Sequence, residues 1–325
     1  MQALVFDGTA PRLDPHHAEP NPPPGEALIR PTRLGVCATD LEICRGYMGF
    51  TGVLGHEFVG VVESVARKQD ADWIGRRVVG SINCVRSVCD LVRAGLREHA
   101  RDRSVLGIKE RDGCFADAFA LPVENLHEVP DHVDDDHAVF AEPLAAAFQV
   151  LRQLAVEGRP FVTVLGDGRL GLLVAQVLST LNATVRVVGK HPRKLELCEK
   201  WGIKHRLLDD VGLRQDQDVV VDATGSATGL ATAMQMVRPR GTIVLKTTTA
   251  PPPEGEPHLD LSPLVVHEIN VIGSRCGPFP DALEALGAQT VDVVSLIGRR
   301  MKLADGIDAL RVAARPDVVK VLLEP

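Results

Sequence analysis

The sequence predicts an α/β protein in two parts, a β-rich domain and a doubly wound parallel sheet. Three observations carry that expectation. Up to about residue 147, short apolar runs are cut by Gly and Pro, the texture of short strands and turns. From about residue 148, strand-length apolar runs alternate with helix-length segments, as in a parallel sheet covered on both faces. Between the first of those strands and its helix lies Gly166-Asp167-Gly168-Arg169-Leu170-Gly171, a G-x-G-x-x-G loop.

In the first part, residues 27–30, 58–62 and 77–80 read as strands. Residues 20–25 read as a loop, because their prolines fix φ and remove backbone donors. The second part has strands over 161–165, 184–188, 218–222, 242–245 and 269–272. Helices over 170–181, 192–201 and about 227–237 alternate with them, and Pro192 suits a first helical turn. From about 276 the pattern is a helix (281–289), a strand, a helix (304–314) and a last strand (318–323). That tail is expected to return to the first domain. The expected division is thus 1–147 with 276–325 for one domain and 148–275 for the other.

Composition narrows the class. At 325 residues, 45% of them apolar, the chain can bury two ordinary cores, so global disorder is not expected. A net charge of -7 without a basic block lacks the electrostatic footprint of a nucleic-acid binder. The run Asp134-Asp135-Asp136 reads as a solvated turn. The N-terminus shows no signal peptide, and Asp167 and Arg169 interrupt the most apolar window as a membrane span. Seven scattered cysteines do not suggest a disulfide framework, so a reducing cytoplasm is the expected location.

Two stretches carry chemistry. In the glycine loop, Gly166, Gly168 and Gly171 let the backbone turn tightly and approach a pyrophosphate, which sits on the amides of the following helix with Arg169 and Leu170 at its start. An acid at the end of the second strand would hold the ribose 2′-hydroxyl of NAD, but none occurs there before Glu196. Gly189 leaves room instead, and Lys190, His191 and Arg193 offer charge for a 2′-phosphate. NADP is favoured and NAD is the alternative. The bland reading of these bases is a solvated helix start. The second stretch is Gly55-His56-Glu57-Phe58-Val59-Gly60, whose His56 lies nineteen residues after Cys37, and it stands ahead of Glu142. Thiolate, imidazole and carboxylate are the ligand types of catalytic zinc. Singly, each also reads as ordinary structure: a buried thiol, a core histidine, a helix-start carboxylate.

Taken together, Gly35-Val36-Cys37-Ala38-Thr39-Asp40, the Gly-His-Glu stretch, Glu142-Pro143 and the glycine loop resemble, in order and over nearly the whole chain, the zinc-dependent medium-chain alcohol dehydrogenase family. Glu142 in place of a cysteine is similar to the polyol and sugar dehydrogenase branches. The resemblance implies a GroES-like barrel domain, a Rossmann domain and one catalytic zinc held by Cys37, His56 and Glu142. It also implies hydride exchange between a nicotinamide and a small alcohol, polyol or sugar, or the matching carbonyl, in a homo-oligomer. Thr39 would pass the substrate proton, and Ser274 and Arg275 fall near the nicotinamide. Glu57 is harder to place. On a strand it would face away from His56, and its charge would make the site net negative, so it is expected outside the first ligands or as an exchangeable one.

The sequence departs from the family in two places. The family's relay histidine is replaced by Glu42. In the lobe that carries a second, structural zinc, only Cys89 aligns to a ligand, with Arg86, Val92 and Ala100 at the other three positions, so no structural zinc is expected. Tyr47, Met48 and Phe50 are pocket-wall candidates of low specificity. The rival readings are a zinc-free quinone or enone reductase on the same fold and a non-catalytic nucleotide-binding protein.

Overall fold

A computed structural model describes residues 1–155, 158–248 and 259–325. They form two compact units, Met1–Glu142 with Phe279–Pro325, and Pro143–Pro278.

The first unit is built on a sheet whose spatial order is Leu126–Glu128, Arg77–Gly80, Glu57–Val65, Glu26–Gly35, Lys320–Glu324 and Ile297–Lys302. Phe119–Pro122 also pairs with Glu26–Gly35, and a smaller sheet joins Pro11–Asp14, Ala3–Phe6 and Gly52–Val53. Leu4, Ile29, Leu34, Phe115 and Leu121 are fully buried and supply its core. The central strand, Glu26–Gly35, is bent by register shifts at Leu28/Ile29 and Pro31/Arg33. The second shift falls at a proline, which has no N–H to give the ladder. Its far end sets up the site, because Gly35 lies opposite both Glu57 and Leu322. The chain's last strand is thereby stitched beside its metal-candidate stretch.

The second unit is a six-stranded parallel sheet ordered Lys204–Leu207, Thr184–Gly189, Phe161–Leu165, Gln217–Asp222, Val237–Leu245 and Asn270–Gly273. Helices Arg169–Ser179, Pro192–Lys200 and Gly229–Met236 cover it. Leu165, Val188, Val220, Ile243 and Met234 pack into one of its cores. Five strands fall where the sequence predicts them. The sixth, Lys204–Leu207, went unpredicted. It is a polar edge strand, Lys-His-Arg-Leu, with no apolar run to announce it. Among the described residues no helix is long and apolar enough to cross a membrane.

Candidate metal centre and nucleotide site

The first unit gathers Cys37, His56 and Glu57. Their ligand atoms all lie within 4.8 Å of one another, as a shared ion with bonds of about 2.0–2.3 Å requires. Cys37 precedes the short helix Ala38–Ile43, where its N–H donates to Asp40 Oδ2 at 2.7 Å. Asp40 is fully buried, and its Oδ1 stands 3.2 Å from His56 Nδ1 without hydrogen-bond alignment. Burial alone would lower the His56 pKa, but the facing charges of Asp40 and Cys37 outweigh it and hold it well above its ordinary value. Three buried polar atoms, Glu57 Oε1, His56 Nδ1 and Asp40 Oδ1, have no hydrogen-bond partner. His56 Nδ1 and Asp40 Oδ1 face one another, which leaves Glu57 Oε1 as the orphan that a cation beside Cys37 and His56 would satisfy, so the residues present fit a zinc ion.

The strand that carries Glu57 begins at that residue. The condition under which the two were expected to face apart, both lying on one strand, is therefore not met. The structure also supplies a charge that the sequence reading lacked. Lys320, fully buried, pairs through Nζ with Glu57 Oε2, donates to the Val36 carbonyl at 3.3 Å and stands 5.5 Å from the Phe140 ring centre. Gly35 makes the pair possible, since a Cβ there would lie 2.4 Å from Glu57 Oε2 and 2.8 Å from Lys320 Nζ.

Glu142, the remaining ligand candidate, is the second residue of the helix Ala141–Gln153 and is partly buried. It is not a member of the three-residue group. Thr39 lies in the helix after Cys37, its Oγ1 3.7 Å from Cys37 Sγ. Glu42 is engaged by Arg45 at 2.5 Å on an exposed face. Of the pocket candidates, Phe50 is buried while Tyr47 and Met48 are exposed. Around Cys89, charged side chains tie the segment together: Arg86 to Glu110 at 2.6 Å, Arg101 to Asp90 at 2.8 and 3.1 Å, and Ser87 to Asp102. Burial pushes the nearby Cys84 thiol up to about 12.

In the second unit a cavity of about 270 Å³ opens over the glycine loop. It sits at the carboxyl ends of the strands Phe161–Leu165, Thr184–Gly189 and Gln217–Asp222, where the order of connections reverses, the usual ligand crevice of such sheets. Gly166 and Gly168 line it, as do Gly189, Lys190 and His191. A Cβ on Gly171 would lie 2.1 Å from the Gly166 carbonyl, whereas one on Gly168 would point into open space. Gly171 lets the helix start pack closely on the loop, and Gly168 clears an approach for a phosphate. Arg169, Leu170 and Gly171 start the helix Arg169–Ser179 without lining the cavity. Arg193 is exposed and does not line it either, whereas its buried neighbour Lys194 does. Ser274 and Arg275 lie outside it and accept from Lys246 Nζ, at Ser274 Oγ (3.2 Å) and at the Arg275 carbonyl (2.5 Å).

Residues 23–131 match the alcohol dehydrogenase GroES-like domain, and residues 170–291 match the zinc-binding dehydrogenase domain. An L-threonine 3-dehydrogenase of Chelativorans sp. is 30% identical over 239 residues, 68% of this chain and 69% of that protein. The chain belongs to the zinc-containing medium-chain alcohol dehydrogenase family. This dehydrogenase is also similar to the sorbitol dehydrogenase of Halalkalibacterium halodurans, 26% identical over 345 residues that span 100% of this chain and 99% of the relative. A Sinorhizobium meliloti structure bound to NADP superposes with a TM-score of 0.86 at 26% identity, covering 100% and 99% of the two chains.

Besides Lys194, two residues at these candidate sites escaped sequence reasoning. Lys320 was legible only as a lone cation in an apolar terminal strand. Asp167 stood at a variable position of the glycine motif.

Proposed function

We propose that this dehydrogenase exchanges a hydride between NADP and a small polyol or sugar alcohol, or the matching carbonyl, at one zinc. Similarity to the sorbitol dehydrogenase supports the substrate class. The observation that carries the zinc site is the Cys37, His56 and Glu57 group, in which His56 and Glu57 are buried and Glu57 Oε1 has no hydrogen-bond partner. In this reading those three residues hold the ion and Glu142 is the further carboxylate. One thiolate and two carboxylates exceed the charge of a divalent ion by one, and the Lys320 ammonium offsets that excess. Bound zinc supplies the positive charge that acidifies a substrate hydroxyl, and the nicotinamide accepts the hydride. Asp40 orients the His56 ring through Nδ1. Thr39 accepts the hydroxyl proton. Because Glu42 is engaged by Arg45, the proton then passes to water rather than to Glu42.

NADP is the proposed nucleotide because Gly189, Lys190, His191 and Lys194 line one end of the cavity with room and positive charge. The NADP-bound relative supports the same reading. The test is zinc per chain by elemental analysis, followed by NADPH oxidation with a panel of ketoses. One zinc per chain and turnover with NADPH are expected. A zinc-free protein that still reduces quinones would favour the quinone reductase reading, and no turnover at all would favour a binding protein.

A homo-oligomer is part of this reading. Among the described residues Asn270–Gly273 is an edge of the parallel sheet, and Val271, Val265 and Val266 are 40%, 80% and 71% exposed. A second copy pairing along that edge would cover them. Light scattering should give at least twice the monomer mass, and a monomer at micromolar concentration would count against the pairing.

A further inference from the structure

The end of the second Rossmann strand lacks an acid, yet a carboxylate stands there. It comes from the glycine loop. Asp167 is 5% exposed and accepts hydrogen bonds from the backbone N–H groups of Lys190 at 2.8 Å and His191 at 2.7 Å. Its Oδ1 also meets His191 Nδ1 at 2.9 Å. A Cβ on Gly189 would lie 2.3 Å from Asp167 Oδ2, so a side chain at 189 and this placement of Asp167 exclude one another. With both oxygens engaged by the turn, the carboxylate is poorly placed to serve as the acceptor for a ribose hydroxyl. What it does is tie the glycine loop to the turn bearing Lys190 and His191, which leads into the helix Pro192–Lys200 that carries Lys194; all three basic residues line the cavity.

We propose that Asp167 is a positioning residue for cofactor choice. By fixing this turn it presents the three basic side chains to a 2′-phosphate, and so favours a phosphorylated over an unphosphorylated nicotinamide nucleotide. The proposal rests on the NADP reading above and names the residue that enforces it. Gly189 is the complementary half, because only a residue without Cβ lets Asp167 reach the turn.

The test is fluorescence titration of the intact, zinc-loaded protein with NADPH and with NADH. The wild-type protein is expected to bind NADPH about tenfold more tightly or better, and Asp167→Ala to shrink that ratio to about threefold or less. The loss should fall on NADPH, with the circular dichroism spectrum unchanged. The double variant Asp167→Ala/Gly189→Asp moves the acid to the strand end and should favour NADH. A wild-type preference for NADPH that survives in Asp167→Ala would overturn the proposal and leave the NADP reading standing. A selective loss of NADH affinity would also overturn it, because the carboxylate would then be bonding the ribose. Wild-type preference for NADH would overturn both. Should Asp167→Ala fail to fold, the double variant decides alone, and retained NADPH preference there defeats the proposal.

Discussion

Cys37→Ser is expected to empty the metal site and to lower turnover by about a thousandfold or more, the several kcal/mol of charge stabilisation that a catalytic ion supplies. A serine hydroxyl is not ionised at neutral pH, so it neither matches the thiolate's charge nor its affinity for zinc. The backbone consequences should be small. The N–H of residue 37 still donates to Asp40, and the short helix Ala38–Ile43 keeps its entry. Circular dichroism should therefore match the wild-type protein while elemental analysis finds the zinc gone. Full zinc content with full activity in Cys37→Ser would remove this residue from the centre. The His56 imidazole and the Glu57 carboxylate would then have to be judged without it.

Lys320→Met should destabilise the zinc-free protein by about 3–5 kcal/mol, the cost of leaving one partner of a buried ion pair alone. Lys320 and Glu57 are both fully buried, 263 residues apart in sequence, and burial lowers the Lys320 pKa. Glu57→Gln should cost a comparable amount, because it strands the ammonium beneath Gly35. The double variant Lys320→Met/Glu57→Gln should recover much of the loss, since it removes both charges together. Urea unfolding of chelator-treated protein measures all four states of this cycle. Additive losses would mean that the two groups do not form a pair. The zinc-loaded proteins should differ as well. Without Lys320, the carboxylate charge at the centre is no longer offset, and substrate should bind a less acidic site. That effect would appear as a lower kcat at unchanged zinc content.

Much of the architecture was legible because it rests on local rules. Alternation of apolar runs with helix-length segments marked the parallel sheet, and the glycine loop marked its ligand edge. The strand Lys204–Leu207 escaped because an edge strand with one covered face can be almost wholly polar. The sequence offers Arg193 where the structure places Lys194, because a helix turns about 100° per residue, so adjacent side chains face different ways and sequence alone does not fix which one meets the cavity. The helix start was right, and the facing was decided by packing: Arg193 is exposed and Lys194 buried.

By itself the sequence determined the two-part fold, the glycine loop and the residue types of the candidate metal centre, including Cys37 and His56. All of these follow from short-range patterns. Only the tertiary structure decided which carboxylate stands with Cys37 and His56, and which cation answers it. Glu57 joins them because its strand begins one residue after His56, and Lys320 arrives because the last strand pairs beside Gly35. It also showed that Asp167 fills the space left by Gly189. The physical reason is the same in each case. Periodicity and turn chemistry act between near neighbours in the chain, whereas the placement of a buried charge depends on groups that meet only when the chain is folded.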